Sequence, residues 1–279
     1  APAMTAKLLD DRTDIYRLSQ RLRFSLVHFA RGIYPCLGHA PNSMPVNRMF
    51  FVLDNPGGDA NYIGDADSVH PLRPNHFYFV PAFHQATFRL DSRLVFLSIH
   101  SKVELYGATD IFAGRHFIYC EDAPSELPRL LELHRATAAE LLPAALELQQ
   151  LAFAVVMRVI KNTGGNDYTN AARFAAYQPV IDHISKNCRA DVRIADLAAI
   201  MHLSREAFSR NFVADTGITP KKFVARMLMN RATALLSRPH CSIKEVAHEL
   251  NFSSEYAFSR FFKTQAGISP KAFCQFGRI

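Results

Sequence analysis

The sequence predicts a multidomain α+β protein, with an antiparallel β-rich N-terminal domain and an all-α C-terminal domain of two helix-turn-helix units. Three observations lead to this prediction. Short β-prone segments separated by turn residues fill the stretch 45–103. A helical segment occurs twice in the last third of the chain. The excess positive charge of the chain lies in that same part.

The composition is that of a soluble globular protein, since the 279 residues are 49% hydrophobic and 20% charged. The start of the chain mixes charged residues with apolar ones, so it has no apolar signal core. We therefore expect a cytoplasmic protein without a membrane span. The five cysteines are scattered and form no CxxC pair, so we expect reduced thiols and no zinc or redox site.

The predicted N-terminal domain, residues 1–162, contains short strands at regular spacing. Turn residues separate them, most densely at Asn55–Asp59. Such spacing is typical of a small antiparallel barrel. The predicted strands are Arg48–Leu53, His76–Val80, Ala86–Leu90 and Arg93–His100.

A barrel of this kind can hold either a small-molecule pocket or a catalytic metal. A metal site needs two or three histidines and a carboxylate, usually with an HxH pair, and no HxH pair occurs in the sequence. We therefore expect no metal, no cofactor and no catalytic residues, and favour a small-molecule pocket. Its candidate lining residues are Arg48, Tyr62, Tyr78, His84 and Phe96.

The segment Glu126–Asn162 has the leucine spacing of helices. Its apolar faces indicate either a homodimer surface or helices packed on the barrel, and we favour the homodimer. The Gly- and Asn-rich residues that follow predict a linker at 163–176. The second domain then covers 177–279.

The segment Arg193–Phe223 recurs as Ser242–Phe273, with an offset of 49 residues that becomes 50 after one insertion. In the second copy, Ser242 and Glu245 form the pattern of a capping box at a helix start. A break at Asn251 separates two amphipathic helices, and Gly267 suits the end of the second. Each copy therefore predicts a helix, a tight turn and a second helix.

From Ile181 onward there are 15 Lys and Arg against 8 Asp and Glu, whereas residues 1–180 contain 17 of each sign. Repeated amphipathic helices could also form a purely structural module. However, a solenoid needs three or more copies, and the solvent side of each second helix is polar and basic. These features favour DNA binding.

The second copy, from Ile243 through Asn251-Phe252-Ser253 and Phe258-Ser259-Arg260 to Ser269-Pro270, closely resembles the helix-turn-helix signature of the AraC/XylS family of transcription regulators. Asn251 replaces the usual corner glycine, and Cys274 stands where the family often has arginine. The resemblance implies seven helices, near Gln178–Asn187, Ile194–Met201, Arg205–Asp215, Pro220–Leu236, Ile243–Leu250, Ser254–Thr264 and Pro270–Phe276.

Two of these helices are then expected to enter successive major grooves of double-stranded DNA. The glutamates could either accept from cytosine or pair with a nearby arginine of the same helix. The predicted base-reading residues are Arg205, Glu206, Ser209, Arg210, Glu255, Tyr256, Ser259 and Arg260. The predicted phosphate contacts are Lys221, Lys222, Lys244, Lys263 and Lys271.

The stretch Leu72–His84 resembles the cupin-like ligand-binding domain common in AraC-type regulators. The resemblances together imply a transcription regulator, such as an activator, with a cupin-like N-terminal sensor. Expected partners are promoter DNA, a small effector such as a sugar or small acid, a second copy of the chain, and RNA polymerase. The alternative is a cupin-type metalloenzyme fused to a DNA-tethering domain.

Overall fold

The N-terminal domain is mainly antiparallel β-sheet. In this computed structural model, residues 13–33, 41–105, 107, 109–137, 140–164, 173–238 and 240–276 are described. Helix α1 (Thr13–Arg21) leads into the strands. These are β1 (Leu22–Ile33), β2 (Asn42–Ser43), β3 (Asn47–Asp54), β4 (Tyr62–Gly64), β5 (Val69–Pro71), β6 (His76–Val80), β7 (Gln85–Arg89), β8 (Val95–Leu105), β9 (Thr109–Asp110) and β10 (Tyr119–Asp122).

The strands form two sheets. The larger has the order β1-β8-β3-β6-β10, with β9 paired to β8, and the smaller has the order β2-β7-β4-β5. Neighbouring strands run antiparallel in both sheets, as predicted. The antiparallel barrel expected from the sequence takes the form of two open sheets, because no strand pairing joins them in the described residues. Strands β2, β4 and β5 are only two or three residues long, too short to close the gap.

The central strands are buried on both faces, and alternate side chains enter two different cores. Phe50 and Tyr78 point into the core between the two sheets. Phe51 and Phe77 point the other way, toward helices α2 (Leu127–Leu133) and α3 (Leu141–Asn162). The larger sheet is thus the middle layer of the domain.

The sequence prediction missed β1, although it is twelve residues long. This strand lies at the edge of the larger sheet and exposes charged side chains such as Arg23 and Arg31, so its apolar pattern is weak. Strand β8 also runs past the predicted end at His100. Lys102 is buried there, and its Nζ donates to Asn230 of the C-terminal domain at 3.3 Å.

The C-terminal domain is helical, and its helices agree with the seven expected to within two residues at each end. They are α4 (Gln178–Lys186), α5 (Ile194–Ile200), α6 (Arg205–Thr216), α7 (Pro220–Leu236), α8 (Ile243–Glu249), α9 (Glu255–Ala266) and α10 (Pro270–Phe276). A short 3₁₀ turn, Phe174–Tyr177, precedes α4. Much of the predicted linker, at residues 165–172, lies outside the described residues.

The two helix-turn-helix units are built on different cores. The core of the first unit contains only residues between 174 and 227. The core of the second unit includes Met44 and Val46 of the sheet domain, with Phe83 packed against it. Among the described residues, the sheet domain therefore contributes to the core of the second unit and not to that of the first.

Helix α7 connects the two units and also lies against the sheet domain. The Arg226 guanidinium is buried and stacks over the Phe83 ring, 5.2 Å from its centroid. Asn230 accepts from Lys102 and donates to Glu104 Oε1, each at 3.3 Å. These contacts orient the second unit relative to the sheets.

Helix α3 is the one described helix long and apolar enough to cross a membrane by length and composition, whereas the sequence analysis expected no membrane span. Its C-terminal half is partly buried through Ala152, Val155, Val156 and Val159, against the larger sheet. Its N-terminal half exposes leucines. The core helix of a soluble protein satisfies the same length and composition test, so one such helix is weak evidence of a membrane span.

Candidate nucleic-acid interface and interdomain cavity

Side-chain caps set the start of both expected reading helices. Ser204 Oγ accepts from Ala207 N at 3.2 Å at the start of α6, and Ser254 Oγ accepts from Ala257 N at 3.1 Å at the start of α9. The predicted capping box is present before α8, where the Ser242 amide donates to Glu245 Oε2 at 2.8 Å. These bonds satisfy amides that have no partner inside the helices.

The turn of each unit contains a residue with positive φ. Asn251 has φ 59°, as its replacement of glycine implied. His202 has φ 55° at the matching position of the first unit, which the sequence analysis did not single out. The repeat offset of 49 residues relates these two positions and could have identified His202.

The predicted base-reading residues lie on the outer faces of α6 and α9. The opposite faces are closed by buried phenylalanines, Phe208 with Phe212 and Phe258 with Phe262. Ser209 and Ser259 are half-buried. The exposed members are Arg205, Glu206, Arg210, Glu255, Tyr256 and Arg260, and Tyr256 is 76% exposed.

No ion pair in the described part of the chain ties these arginines to the glutamates of their own helix. The ion pairs of the C-terminal domain use Arg193, Arg231 and Arg238 with Asp196 or Glu249. The exposed side chains of Arg210 and Arg260 are therefore available to a ligand. The five predicted phosphate contacts are exposed as well: Lys221, Lys222, Lys244, Lys263 and Lys271.

The predicted effector residues lie in different surroundings. Tyr78 and Phe96 are buried in the core between the sheets, and burial raises the pKa of Tyr78 to about 12. The Tyr78 hydroxyl is already bonded to the Pro71 carbonyl at 2.7 Å. Tyr62 is half-buried on β4.

Arg48 and His84, in contrast, lie together. The Arg48 guanidinium donates to the His84 carbonyl at 3.2 Å and stacks over Phe88 at 4.6 Å. Burial lowers the pKa of Arg48 to about 9. Arg48 thus holds the backbone of His84, and His84 is the one of the five predicted residues that borders an open space between the domains.

That open space is a cavity of about 660 Å³ between the sheet domain and the end of α9. The sheet domain contributes most of the wall, and α9 with the residue after it contributes the rest. The described lining residues are Pro41, Ser43, Asp65, Ala66, Asp67, Phe83, His84, Gln85, Thr87, His116, Thr264, Gln265 and Gly267.

A histidine–aspartate hydrogen bond lies in the cavity wall. His84 Nε2 lies 2.9 Å from Asp65 Oδ2, and both side chains are buried. Burial lowers the pKa of His84 more than Asp65 raises it, and His116 and Arg48 lower it further. Burial acts to raise the pKa of Asp65, but hydrogen bonds from Asp67, Ser68 and His84 outweigh it and the pKa is lowered.

Residues 197–275 match a family model described as a helix-turn-helix domain. The HTH-type transcriptional regulator YfiF of Bacillus subtilis is 37% identical over 91 residues, which is 33% of this chain and 29% of that protein. The Msm operon regulatory protein of Streptococcus mutans is 30% identical over 105 residues, 38% of each chain. These matches span about a third of the curated relatives' length.

The fold as a whole is similar to that of ToxT from Vibrio cholerae. One structure, of the apo form with a single lysine-to-alanine substitution, aligns with a TM-score of 0.56 at 10% identity, over 91% of this chain and 96% of that one. A second ToxT structure, from strain O395, gives a TM-score of 0.55 at 11% identity, over 92% and 98%. The chain therefore has the ToxT-like fold, and its residues 197–275 match a helix-turn-helix domain.

Proposed function

We propose that this protein is a sequence-specific DNA-binding transcription regulator whose two reading helices, α6 and α9, enter successive major grooves. The observation that carries the proposal is the pair of equivalent helices, each capped, each backed by buried phenylalanines and each presenting an exposed arginine in the same place. An α-helix fits the major groove, and guanidinium is the side-chain group that reads guanine bidentately.

The base-reading set on the two helices is proposed as the sequence predicted it, with the five lysines contacting phosphates. Tyr256 adds an exposed aromatic ring to the second helix that the first helix lacks, because Glu206 is the residue at the matching position. The two units are therefore expected to prefer different bases. Phosphate contacts position the protein without reading sequence.

We predict that Arg210→Ala costs about 1–3 kcal/mol of binding free energy and relaxes the base preference at one position of the site. A lysine that contacts phosphate should behave differently: Lys221→Ala should weaken binding to all sequences alike and reduce the salt slope by about one. The measurement is binding-site selection on genomic DNA followed by fluorescence anisotropy at two salt concentrations. Arg260→Ala, measured in parallel, shows by the same two criteria whether Arg260 contacts a base or a phosphate.

Arg89→Ala is the matched control, since Arg89 is exposed on β7 of the sheet domain, far along the chain from the reading helices. It should leave both the affinity and the selected site unchanged. Full affinity in both Arg210→Ala and Arg260→Ala would mean that these helices do not face DNA.

We further propose that a small effector acts through the N-terminal domain and that the protein works in the cytoplasm without catalysing a reaction. ToxT, which has the same fold, has been solved with an unsaturated fatty acid bound. The two domains share a core here, so a ligand between them can act on the second unit. Contact with RNA polymerase, as in an activator, is part of the same proposal.

The rival function is a cupin-type metalloenzyme tethered to DNA. Within the described ranges, no group of three histidine, cysteine, aspartate or glutamate side chains is placed to hold a metal ion. Elemental analysis of the purified protein decides between the two functions, because a stoichiometric transition metal would favour the enzyme.

A further inference from the structure

The two helix-turn-helix units are joined along helix α7. Met227 of this helix lies in the core of the first unit, and the next residue, Leu228, lies in the core of the second. The change from one core to the other thus takes place within an uninterrupted helix. A helix fixes the distance along its own axis, but it can bend, so this connection alone would let one unit tilt relative to the other.

A second connection lies in the loop between α4 and α5, at residues 187–193. The Ala190 amide donates to the Leu250 carbonyl at 2.8 Å, although the two residues are far apart in sequence. Leu250 follows α8 and precedes the corner residue Asn251, which leads toward α9. The hydrogen bond therefore attaches the first unit to the turn that orients the second reading helix.

Side-chain packing accompanies this hydrogen bond. The partly buried side chain of Cys188, two residues before Ala190, packs against the cores of both units. Glu249, the last residue of α8, pairs with Arg231 of α7 at 2.9 Å and with Arg238 at 3.4 Å. These ion pairs are exposed and contribute little stability by themselves. The end of α8 is nevertheless in contact with both α7 and the α4–α5 loop.

Two attachment points hold the reading helices at one separation and one relative angle. One base pair added between two half-sites moves the second major groove by about 3.4 Å and rotates it by about 35°. The 2.8 Å hydrogen bond between Ala190 and Leu250 does not survive a displacement of that size. On DNA of altered spacing, either this bond breaks or the DNA is deformed.

We propose that the Ala190–Leu250 hydrogen bond, together with the packing of Cys188, sets the spacing of the two half-sites that the protein accepts. The inference rests on the proposed DNA-binding function and adds a determinant of specificity that contacts no base. Ala190 and Cys188 are positioning residues, since they act through the turn before α9. The sheet domain, which contributes Met44 and Val46 to the second core, is thereby connected to the first reading helix as well.

Ala190 allows a substitution that removes this hydrogen bond and little else. Its side chain is exposed, and its contact with the second unit uses the backbone amide. It occupies the second position of a turn in which the Val192 amide donates to the Arg189 carbonyl at 3.4 Å, and proline is favoured at that position. Ala190→Pro should therefore keep the turn and delete the donor.

Three further variants complete the set. Ala190→Ser changes the side chain and keeps the amide. Ser92→Pro is the matched control, because Ser92 is the exposed second residue of a turn in the sheet domain, where the Leu94 amide donates to the Asp91 carbonyl at 3.3 Å. Cys188→Ala is an independent test, since it removes the packing shared by the two cores and leaves the Ala190 amide in place.

The measurement is the affinity of the full chain for three duplexes, by fluorescence anisotropy at constant ionic strength. One is the selected site, in which the bases affected by Arg210→Ala and Arg260→Ala mark the half-sites. The others have one base pair added or removed between the half-sites. Because a rigid pair of units forces the DNA to deform, the wild type should bind the altered duplexes at least about tenfold more weakly.

Ala190→Pro should reduce this ratio of affinities about fivefold, the effect of one net hydrogen bond. Cys188→Ala should reduce it as well, and it decides the matter if Ala190→Pro does not fold. Ala190→Ser and Ser92→Pro should keep the wild-type ratio.

A merely structural role would lower the affinity for all three duplexes by one factor and leave the ratio unchanged, which would overturn the inference. A wild type that binds all three spacings equally, or a Ser92→Pro variant that relaxes the spacing as Ala190→Pro does, would overturn it too. These results leave the DNA-binding function standing, because they require binding to the selected site. A wild type that binds no duplex contradicts the proposed regulator and, with it, this inference.

Discussion

At the scale of single residues, the turn of each helix-turn-helix unit contains a residue other than glycine in the left-handed backbone conformation. Asn251 tolerates this conformation because its short polar side chain can bond locally, whereas His202 has a bulkier ring at the same place. Both residues are exposed, so neither is compensated by burial. The two corners therefore differ in backbone strain while sharing a fold.

We predict that His202→Gly raises the free energy of unfolding by about 0.5–1 kcal/mol, since glycine removes the strain at positive φ. Asn251→Gly should change the free energy of unfolding by about a few tenths of a kcal/mol at most, because the relief of backbone strain is offset by the greater entropy of glycine in the unfolded chain. Urea unfolding followed by circular dichroism measures both. Equal effects at the two corners would contradict the assignment of strain to His202.

A second residue-scale feature is the buried carboxyl of Asp110, beside helix α7. It accepts hydrogen bonds from Asn47 Nδ2 at 2.8 Å and from the amides of Val103 at 2.7 Å and Phe112 at 2.9 Å. Burial nevertheless raises the pKa of Asp110 to about 7. The folded protein thus holds this proton more tightly than the unfolded chain does.

A raised folded-state pKa means that the contribution of Asp110 to stability is complete at acid pH and is lost as pH rises toward 7. We predict that the stability of the wild type relative to Asp110→Asn declines across this range. Urea unfolding of both proteins at a series of pH values provides the measurement. A difference that stays flat with pH would show that Asp110 is ionised in the folded protein throughout.

At the scale of elements, helix α3 has two different halves. Its C-terminal half covers the larger sheet, and its N-terminal half exposes Leu142 at 72% and Leu146 at 63%, one turn apart. Exposed apolar side chains on one helix face are typical of a protein–protein contact. We propose that this face forms the homodimer contact that the sequence suggested.

Leu142→Glu with Leu146→Glu should convert the dimer to a monomer in sedimentation velocity without loss of fold, because both side chains are exposed. Val69→Glu is the control, since Val69 is an equally exposed apolar residue, at 62%, on strand β5. It should remain dimeric. A wild type that sediments as a monomer at all concentrations would reject the dimer.

At the scale of the whole molecule, the two helix-turn-helix units differ in how closely they contact the sheet domain. The glycines that end α6 and α9 show this directly. Gly217 and Gly267 have similar φ values of 73° and 79°, yet a β-carbon would meet nothing within 4 Å at Gly217 and the backbone of Pro41 and Asn42 at Gly267. The same position of the repeat is thus a simple cap in one unit and a domain contact in the other.

We predict that Gly217→Ala costs about 1–2 kcal/mol of stability, because an L residue is strained in left-handed backbone. Gly267→Ala should cost more, because it must also push β2 away from the helix. Limited proteolysis should then cut the link between the domains faster in Gly267→Ala than in Gly217→Ala. Identical stability and cleavage rates in the two variants would disprove the domain contact.

The C-terminal domain was predicted almost completely, partly from local chemistry and partly from the family resemblance, which implied its seven helices. Serine caps, a capping box, prolines at helix starts and glycines at helix ends act within a few residues, so they indicate the helix starts and ends in each copy of the repeat. The strands β3, β6, β7 and β8 were predicted for the same reason, since turn residues lie at their ends. The edge strand β1 was missed because its partly exposed side chains give little apolar signal.

The tertiary structure decided the features that depend on residues distant in sequence. No strand pairing joins the two sheets in the described residues, and pairing between strands that are distant in sequence is not encoded by any local pattern. Tyr78 and Phe96 fill a core, while His84 lines a cavity whose far wall comes from Thr264 and Gln265, about 180 residues later in the chain. The sequence by itself determined that there are two helix-turn-helix units; only packing decided that Met44 and Val46 complete the core of the second one.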